Sequence, residues 1–83
     1  MNKMNDKVYY ETTEGFFTTD DNENYTAYGI RAYKFIDKTK IKLDEVDDIS
    51  DSYDFVNNLT NTFNTSDLHI EHFRDVICDA IDM

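Results

Sequence analysis

The sequence has few cations, few glycines and a single cysteine, and each shortage excludes a class of protein. Eight lysines and arginines stand against 18 aspartates and glutamates, giving a net charge of −10, the wrong sign for a DNA-binding domain of the usual basic kind. Two glycines cannot build a glycine-rich phosphate-binding loop. Because Cys78 is the only cysteine, no internal disulfide can form, which fits a reducing compartment.

Long apolar segments are also absent. The longest uninterrupted apolar runs are two or three residues, so the sequence predicts no membrane-spanning helix. The polar N-terminus lacks the apolar region of a secretory signal. We therefore expect a cytoplasmic protein that does not bind membranes.

What the chain does contain indicates a folded domain. Aromatic residues make up 14% of its 83 residues, which is too many for an acidic disordered tail. A chain of this length has room for one domain. We expect residues 1–6 to be disordered and residues 7–83 to form a single α+β domain.

The first half of the chain has the pattern of three strands. Residues 7–19 and 25–36 are rich in tyrosine, threonine and phenylalanine, which favour strands, and residues 40–44 alternate between polar and apolar. Turn-forming residues separate them at 20–24 and 37–39. Short turns of this kind predict an antiparallel meander.

Alternation along the second strand predicts two different faces of this sheet. One face carries the residues expected beneath a helical layer: Tyr28, Ile30, Ala32 and Ile36. The opposite face carries the aromatic residues Tyr25, Tyr33 and Phe35. An uncovered aromatic face is typical of a dimer or partner contact. The alternative is a set of scattered surface aromatics shielded by lysine stems.

The second half of the chain has the pattern of two helices. Ser50–Ser52 offers three acceptable N-cap residues, and Val56, Leu59 and Phe63 then recur at helical spacing. A second apolar stripe predicts a helix over Asp67–Asp82. The expected fold is a three-stranded antiparallel sheet with two C-terminal helices on one face, in the order β-β-β-α-α.

Charge is distributed unevenly along the chain. Residues 31–42 carry a net charge of +4, whereas residues 43–83 carry −10 and include only one cation, Arg74. The sequence therefore predicts a basic hairpin between the second and third strands and an acidic helical half.

Two acidic groups stand out in this half. The predicted last helix carries acids at a spacing of four residues and then three: Asp67, Glu71, Asp75, Asp79 and Asp82. Like charges at this spacing destabilise a helix by about 0.2–0.5 kcal/mol per pair. A second group precedes the first helix: Asp44, Glu45, Asp47 and Asp48. These nine residues are either a solvated surface that keeps the protein soluble or a surface complementary to a basic partner.

The residues needed for catalysis or metal binding are mostly missing. His69 and His72 are three residues apart near Cys78, but no matched distant ligand or orienting group accompanies them. We therefore predict no enzymatic activity, no metal site and no cofactor. Because Cys78 neighbours the apolar stripe, the sequence favours a buried, unreactive thiol.

Several segments in a fixed order are similar to those of a known family. They are Tyr25–Ile30, Asp48–Ser50, Val56 with Leu59, and His69–Ile81. From about Val8 onward the chain resembles a small family of clostridial and related Firmicutes whose function is unknown. The resemblance implies the β-β-β-α-α order and a bacterial or phage origin. In size, acidity and lack of catalytic residues, the chain is also similar in type, without shared motifs, to phage anti-CRISPR inhibitors.

Two hypotheses follow for function. In the first, the protein is a non-enzymatic inhibitor that presents its carboxylates to a basic, nucleic-acid-binding protein, such as a Cas nuclease, and binds no nucleic acid itself. In the second, it is a regulatory or structural homodimer joined through the open sheet face or an edge strand.

Overall fold

The computed structural model describes residues 7–82, which form three strands followed by two helices. The elements are β1 (Tyr9–Thr18), β2 (Asn24–Ile36), β3 (Thr39–Ser50), α1 (Tyr53–Thr65), a 3-10 turn (Ile70–His72) and α2 (Phe73–Ile81). The strands form one antiparallel sheet in the order β1-β2-β3. The predicted α+β fold and the β-β-β-α-α order are therefore confirmed. The predicted disordered segment 1–6 lies outside the described residues.

None of the helices within residues 7–82 combines the length and the apolar character needed to cross a membrane.

The core lies between one face of the sheet and the two helices. Its buried residues come from all three strands and both helices: Tyr10, Ile30, Ala32, Ile49, Val56, Phe63, Phe73 and Ile77. Ile30 and Ala32 lie on the helix-covered face, as predicted, and Tyr28 packs against the core's edge. Ile36 was expected on this covered face, but it is half exposed because it lies in the last residue pair of the β2–β3 hairpin.

Tyr10 connects the sheet to both helices. Its ring lies 5.3 Å from the ring of Phe63 in α1 and 5.5 Å from the ring of Phe73 in α2. Its hydroxyl donates a hydrogen bond of 2.7 Å to the carbonyl of Leu68. Burial raises the pKa of Tyr10 to about 12, so the phenol can still donate this bond at alkaline pH values where an exposed tyrosine ionises.

The loop after α1 corrects the predicted bounds of the last helix. The N–H of Asp67 donates to the carbonyl of Asn64, and the N–H of Leu68 donates to the carbonyl of Phe63. With Asp67 at a φ of 54°, these two bonds form the Schellman motif that ends a helix. Asp67 thus terminates α1 instead of starting the next helix, and α2 begins only at Phe73.

β3 is longer than predicted, because it continues from the expected end at residue 44 to Ser50. Its pairing with β2 shifts between Ile30 and Tyr28, where β3 bulges over Gly29. A Cβ atom on Gly29 would lie 2.2 Å from the carbonyl oxygen of Val46, so the close approach of the two backbones requires glycine. The bulge returns Ile49 to the core, and the acidic residues before it belong to a strand.

Candidate binding surfaces

The carboxylate of Asp44 is already bound within the protein. Asp44 lies opposite Ala32 in the sheet and reaches the helical layer, where Arg74 of α2 donates two hydrogen bonds to it, at 2.8 and 2.6 Å. This bidentate interaction with Arg74 lowers the pKa of Asp44. The only cation of the acidic half is therefore paired with one of the predicted partner-binding residues.

Glu45 is bound on the opposite face of the sheet. It lies beside Arg31, whose guanidinium is 3.5 Å from its carboxylate, and Lys42 donates a hydrogen bond of 3.2 Å to it. Partial burial raises the pKa of Glu45, but the hydrogen bonds from Lys42 and Arg31 outweigh that effect and the net shift is downward. Arg31 also binds Glu11 at 2.7 Å, so this face carries a connected group of opposite charges.

Asp47 and Asp48 lie in the β3 bulge and are both exposed. Asp48 has a φ of 55°, and its carboxylate accepts a hydrogen bond of 2.7 Å from the hydroxyl of Tyr25. This bond raises the pKa of Tyr25. Asp47 has no side-chain hydrogen bond or ion pair among residues 7–82.

Asp67 is separated from the remaining helical acids by the loop that ends α1. Its carboxylate lies 2.6 Å from the ammonium of Lys7, and this contact lowers the pKa of Asp67. The predicted ridge of acids at four-residue spacing along one helix is therefore interrupted at its first member.

Four of the predicted acids remain together on one side of the helical layer. We call Glu71, Asp75, Asp79 and Asp82 the α2 carboxylate group. All four are exposed, and helical spacing places Asp75 and Asp79 on the side of α2 opposite the buried Phe73 and Ile77. In the described part of the chain no cation bonds to any of them. Of the nine predicted residues, these four therefore lie on α2 or next to its ends, and the other five lie on β3 or in the loop after α1.

The aromatic residues of the open sheet face form contacts with one another. The ring of Tyr33 stacks on Tyr9 at 5.7 Å and meets the edge of Phe35 at 5.6 Å. The ammonium of Lys40 lies 4.3 Å from the centre of the Tyr33 ring. Tyr25 stacks on Phe17 at the other end of the face. The face is thus partly covered by its own side chains, as the lysine-shielding alternative predicts, although Phe35 remains 48% exposed.

The histidines and the cysteine do not form a metal site within residues 7–82, where no group of three or more candidate ligands comes together. The rings of His69 and His72 lie 6.3 Å apart at the start of the helical turn. Cys78 is exposed, which corrects the prediction of a buried thiol. It directly follows the buried Ile77 on α2, and helical geometry turns it by about 100° from that residue, out of the packed face.

Sequence reasoning missed a contact at the outer edge of the sheet. The side-chain amide of Asn64 in α1 accepts a hydrogen bond from the N–H of Tyr10 and donates one to its carbonyl, each at 2.9 Å. Asn64 therefore occupies the position that a neighbouring strand would take at this point of β1. The only signal in the sequence is an asparagine near a helix end, which is common for other reasons.

Comparison with known proteins gives a family but no function. No curated protein sequence and no solved structure matches the chain. The profile of a family of unknown function (DUF6514) matches residues 1–83, the whole sequence, and the chain therefore belongs to this family.

Proposed function

We propose that this protein is a non-enzymatic inhibitor that binds a basic, nucleic-acid-binding protein through its α2 carboxylate group. The observation that carries the proposal is the exposure of Glu71, Asp75, Asp79 and Asp82 with no cation bonded to them among residues 7–82. Arg74 lies on the same helix but is held by Asp44, so it does not neutralise them. Such a surface attracts a basic protein and repels nucleic acid.

The loss of helix stability that these acids cause supports a role for them in binding. Like charges four residues apart destabilise a helix by about 0.2–0.5 kcal/mol per pair, and acids near a helix C-terminus interact unfavourably with its dipole. Asp79 and Asp82 lie at that end of α2. A helix whose only task is to cover the sheet gains nothing from this arrangement.

The proposed imitation of nucleic acid is one of charge and not of spacing. Asp75 and Asp79 are about 6 Å apart along the helix axis at a rise of 1.5 Å per residue. Phosphates along one DNA strand are about 3.4 Å apart along the axis, so one helix is a sparser array of charge. We therefore expect electrostatic attraction to speed association more than it strengthens the final complex.

A pair of matched charge reversals tests this proposal. The test variant carries Glu71→Lys and Asp75→Lys, and the control carries Asp20→Lys and Asp21→Lys in the exposed β1–β2 turn, so both change the net charge equally. Each chain is immobilised and exposed to heparin-binding proteins of a bacterial lysate. We expect the wild type and the control to retain the same basic protein and the test variant to lose it, with an association rate lowered about tenfold.

Competition by duplex DNA and release by salt give two further tests of this binding. A duplex oligonucleotide should compete with the wild type for the captured protein, and about 0.5 M salt should release it, because screening at that ionic strength removes long-range attraction. Equal capture by the two variants, no competition by DNA, or no protein retained by the wild type would each contradict the proposal.

A homodimer is the second candidate, because the outward backbone groups along one edge of the sheet have no partner within residues 7–82 and this edge carries an exposed phenylalanine. That observation is independent of the α2 carboxylate group.

A further inference from the structure

One segment of β1 presents backbone groups that have no hydrogen-bond partner among residues 7–82. Asn64 binds both backbone groups of Tyr10, so these groups point away from β2. Backbone groups alternate in direction along a paired strand. The N–H and C=O groups that also point outward are those of the next alternate residues, Thr12, Glu14, Phe16 and Thr18. Within residues 7–82 none of these outward groups has a hydrogen-bond partner.

This segment, Thr12–Thr18, is called the free β1 edge. It lacks the lysines, prolines and bulges that usually protect a sheet edge, and Glu14 is its only charged residue. Phe16 is 78% exposed and is the most exposed large apolar residue in the described part of the chain. A regular, unpaired edge with one charged residue and an exposed phenylalanine is a template for another strand.

The other edge of the sheet is protected. Along β3, Lys40 and Lys42 occupy the part near the hairpin, and register shifts interrupt its pairing with β2. At Glu45 the N–H donates to the Asp44 carboxylate at 2.8 Å, and the carbonyl accepts from Arg74 at 3.2 Å. Strand addition is therefore favoured on β1 alone.

We propose that the free β1 edge pairs antiparallel with the same segment of a second copy, which joins the two three-stranded sheets into one. The two-fold axis passes Gly15, so that residue 12 lies opposite residue 18 of the second copy and residue 14 lies opposite residue 16. In this register the outward groups of both chains face each other and form up to about eight hydrogen bonds. Pairing stops where Asn64 covers Tyr10 and where the partner's strand ends at Thr18.

The side chains suit a second copy in this register. Glu14 lies opposite Phe16 of the other chain, so no two like charges are directly opposed. The two Phe16 rings become diagonal neighbours across the axis and cover each other, which removes apolar area from water. Gly15 lies opposite itself and adds no side chain at the closest point, where the ring of Phe17 already lies against it. A segment that complements itself in this way is the requirement for a two-fold interface.

Concentration dependence tests the pairing directly. Sedimentation of the full chain from micromolar to millimolar concentration should show a monomer–dimer equilibrium. In the same range, amide exchange measured by NMR should slow selectively at Glu14 and Phe16, because their N–H groups become bonded only in the dimer. A monomer at every concentration, or a dimer with unprotected Glu14 and Phe16 amides, overturns the proposal.

Substitutions separate this edge from the open sheet face. Phe16→Glu places a carboxylate directly opposite Glu14 of the other chain, at two equivalent positions about the axis, and Glu14→Pro removes an outward N–H that the monomer does not use. Each should raise the dimer dissociation constant about tenfold or more, equivalent to about 1.4 kcal/mol. Phe35→Glu is the matched control, since it changes the net charge equally and Phe35 is also exposed but lies on the central strand. Circular dichroism confirms that each variant is folded.

The opposite pattern, a dimer lost in Phe35→Glu and kept in Phe16→Glu, overturns the proposal in favour of the open face. Salt distinguishes this inference from the proposed function. Because both copies are strongly acidic, screening should strengthen the dimer, whereas it should weaken binding to a basic partner. The dimer and the binding of a basic partner can therefore each be contradicted without the other.

Discussion

The two edges of the sheet are protected against further strand pairing in different ways. On β3, lysines, register shifts and the Asp44–Arg74 pair leave little regular backbone for another strand to join. On β1, α1 binds the backbone of Tyr10 through Asn64 and the side chain of Thr12 through Asn57 and Thr60, while the outward backbone groups beyond Tyr10 have no partner within residues 7–82. The β3 edge is thus protected mainly by its own residues together with Arg74 of α2, whereas the protection of β1 comes from α1 alone. The difference teaches that the helices protect only the part of an edge that their side chains reach.

Adding a side chain at Gly29, where the backbones of β2 and β3 approach closely, should have the largest effect on stability. Gly29→Ala places a Cβ atom against the backbone of Val46 and Asp47, which cannot move aside as a flexible side chain can. We expect a loss near the upper end of the roughly 1–3 kcal/mol that overpacking costs, measured by urea unfolding. Gly15→Ala is the control, because its Cβ would meet only the movable ring of Phe17. Equal losses in the two variants would show that the bulge is not held by this contact.

Removing the cover on β1 should have an intermediate effect. Asn64→Ala leaves the N–H and C=O of Tyr10 without their partner, and the loss of two hydrogen bonds should cost about 2 kcal/mol in unfolding free energy. It also extends the unpaired edge toward Tyr10. Asn61→Ala is the matched control, since Asn61 is an exposed asparagine of the same helix. Because alanine is the better helix former, Asn61→Ala should be neutral or stabilising. A loss as large as that of Asn64→Ala would show that the contact with Tyr10 is not the cause.

Removing the ion pair between Asp44 and Arg74 should have the smallest effect on stability, and this effect should depend on pH. Arg74 lowers the pKa of Asp44 in the folded state, so the pair stabilises the protein above the unfolded-state pKa of an aspartate. That contribution is lost as pH falls through the lower, folded-state pKa. In Asp44→Asn it is absent at every pH, so the melting temperatures of wild type and variant should converge in acid.

Asp47→Asn is the control for this experiment, because Asp47 is an exposed acid of the same strand without an ion-pair partner in residues 7–82. Parallel melting curves for Asp44→Asn and the wild type across the whole pH range would mean that the Arg74 contact does not stabilise the folded state.

The fold could be predicted from the local sequence because the hydrophobic periodicity and the turn-forming residues indicate the same strands and helices along most of the chain. Ser52 caps α1 by accepting from the N–H of Phe55 at 3.2 Å, as its position before the apolar repeat indicates. The start of α2 could not be predicted, because Asp67 is a favourable residue both at a helix N-terminus and in the left-handed conformation that ends a helix. Only the bonds from residues 67 and 68 back to α1 decide between these roles.

The placement of the acidic residues could be predicted in part, for the same reason. Asp75 and Asp79 are four residues apart within α2 and so share one side of the helix, with Glu71 in the 3-10 turn before it and Asp82 at its C-cap. Asp44 and Glu45 are adjacent in sequence but point to opposite faces of β3, where each meets a different cation. Charge counted along the chain cannot distinguish these cases, since it contains no information on which face a strand residue takes.

By itself, the sequence determined the three strands, the two helices, the covered face of β2 and the excess of negative charge, because each depends on residues close together in the chain. The tertiary structure alone decided which carboxylates are paired, where β3 bulges and which sheet edge stays unpaired. These depend on contacts such as Asn64 with Tyr10 and Arg74 with Asp44, whose partners are far apart in the chain and meet only when the helices pack on the sheet.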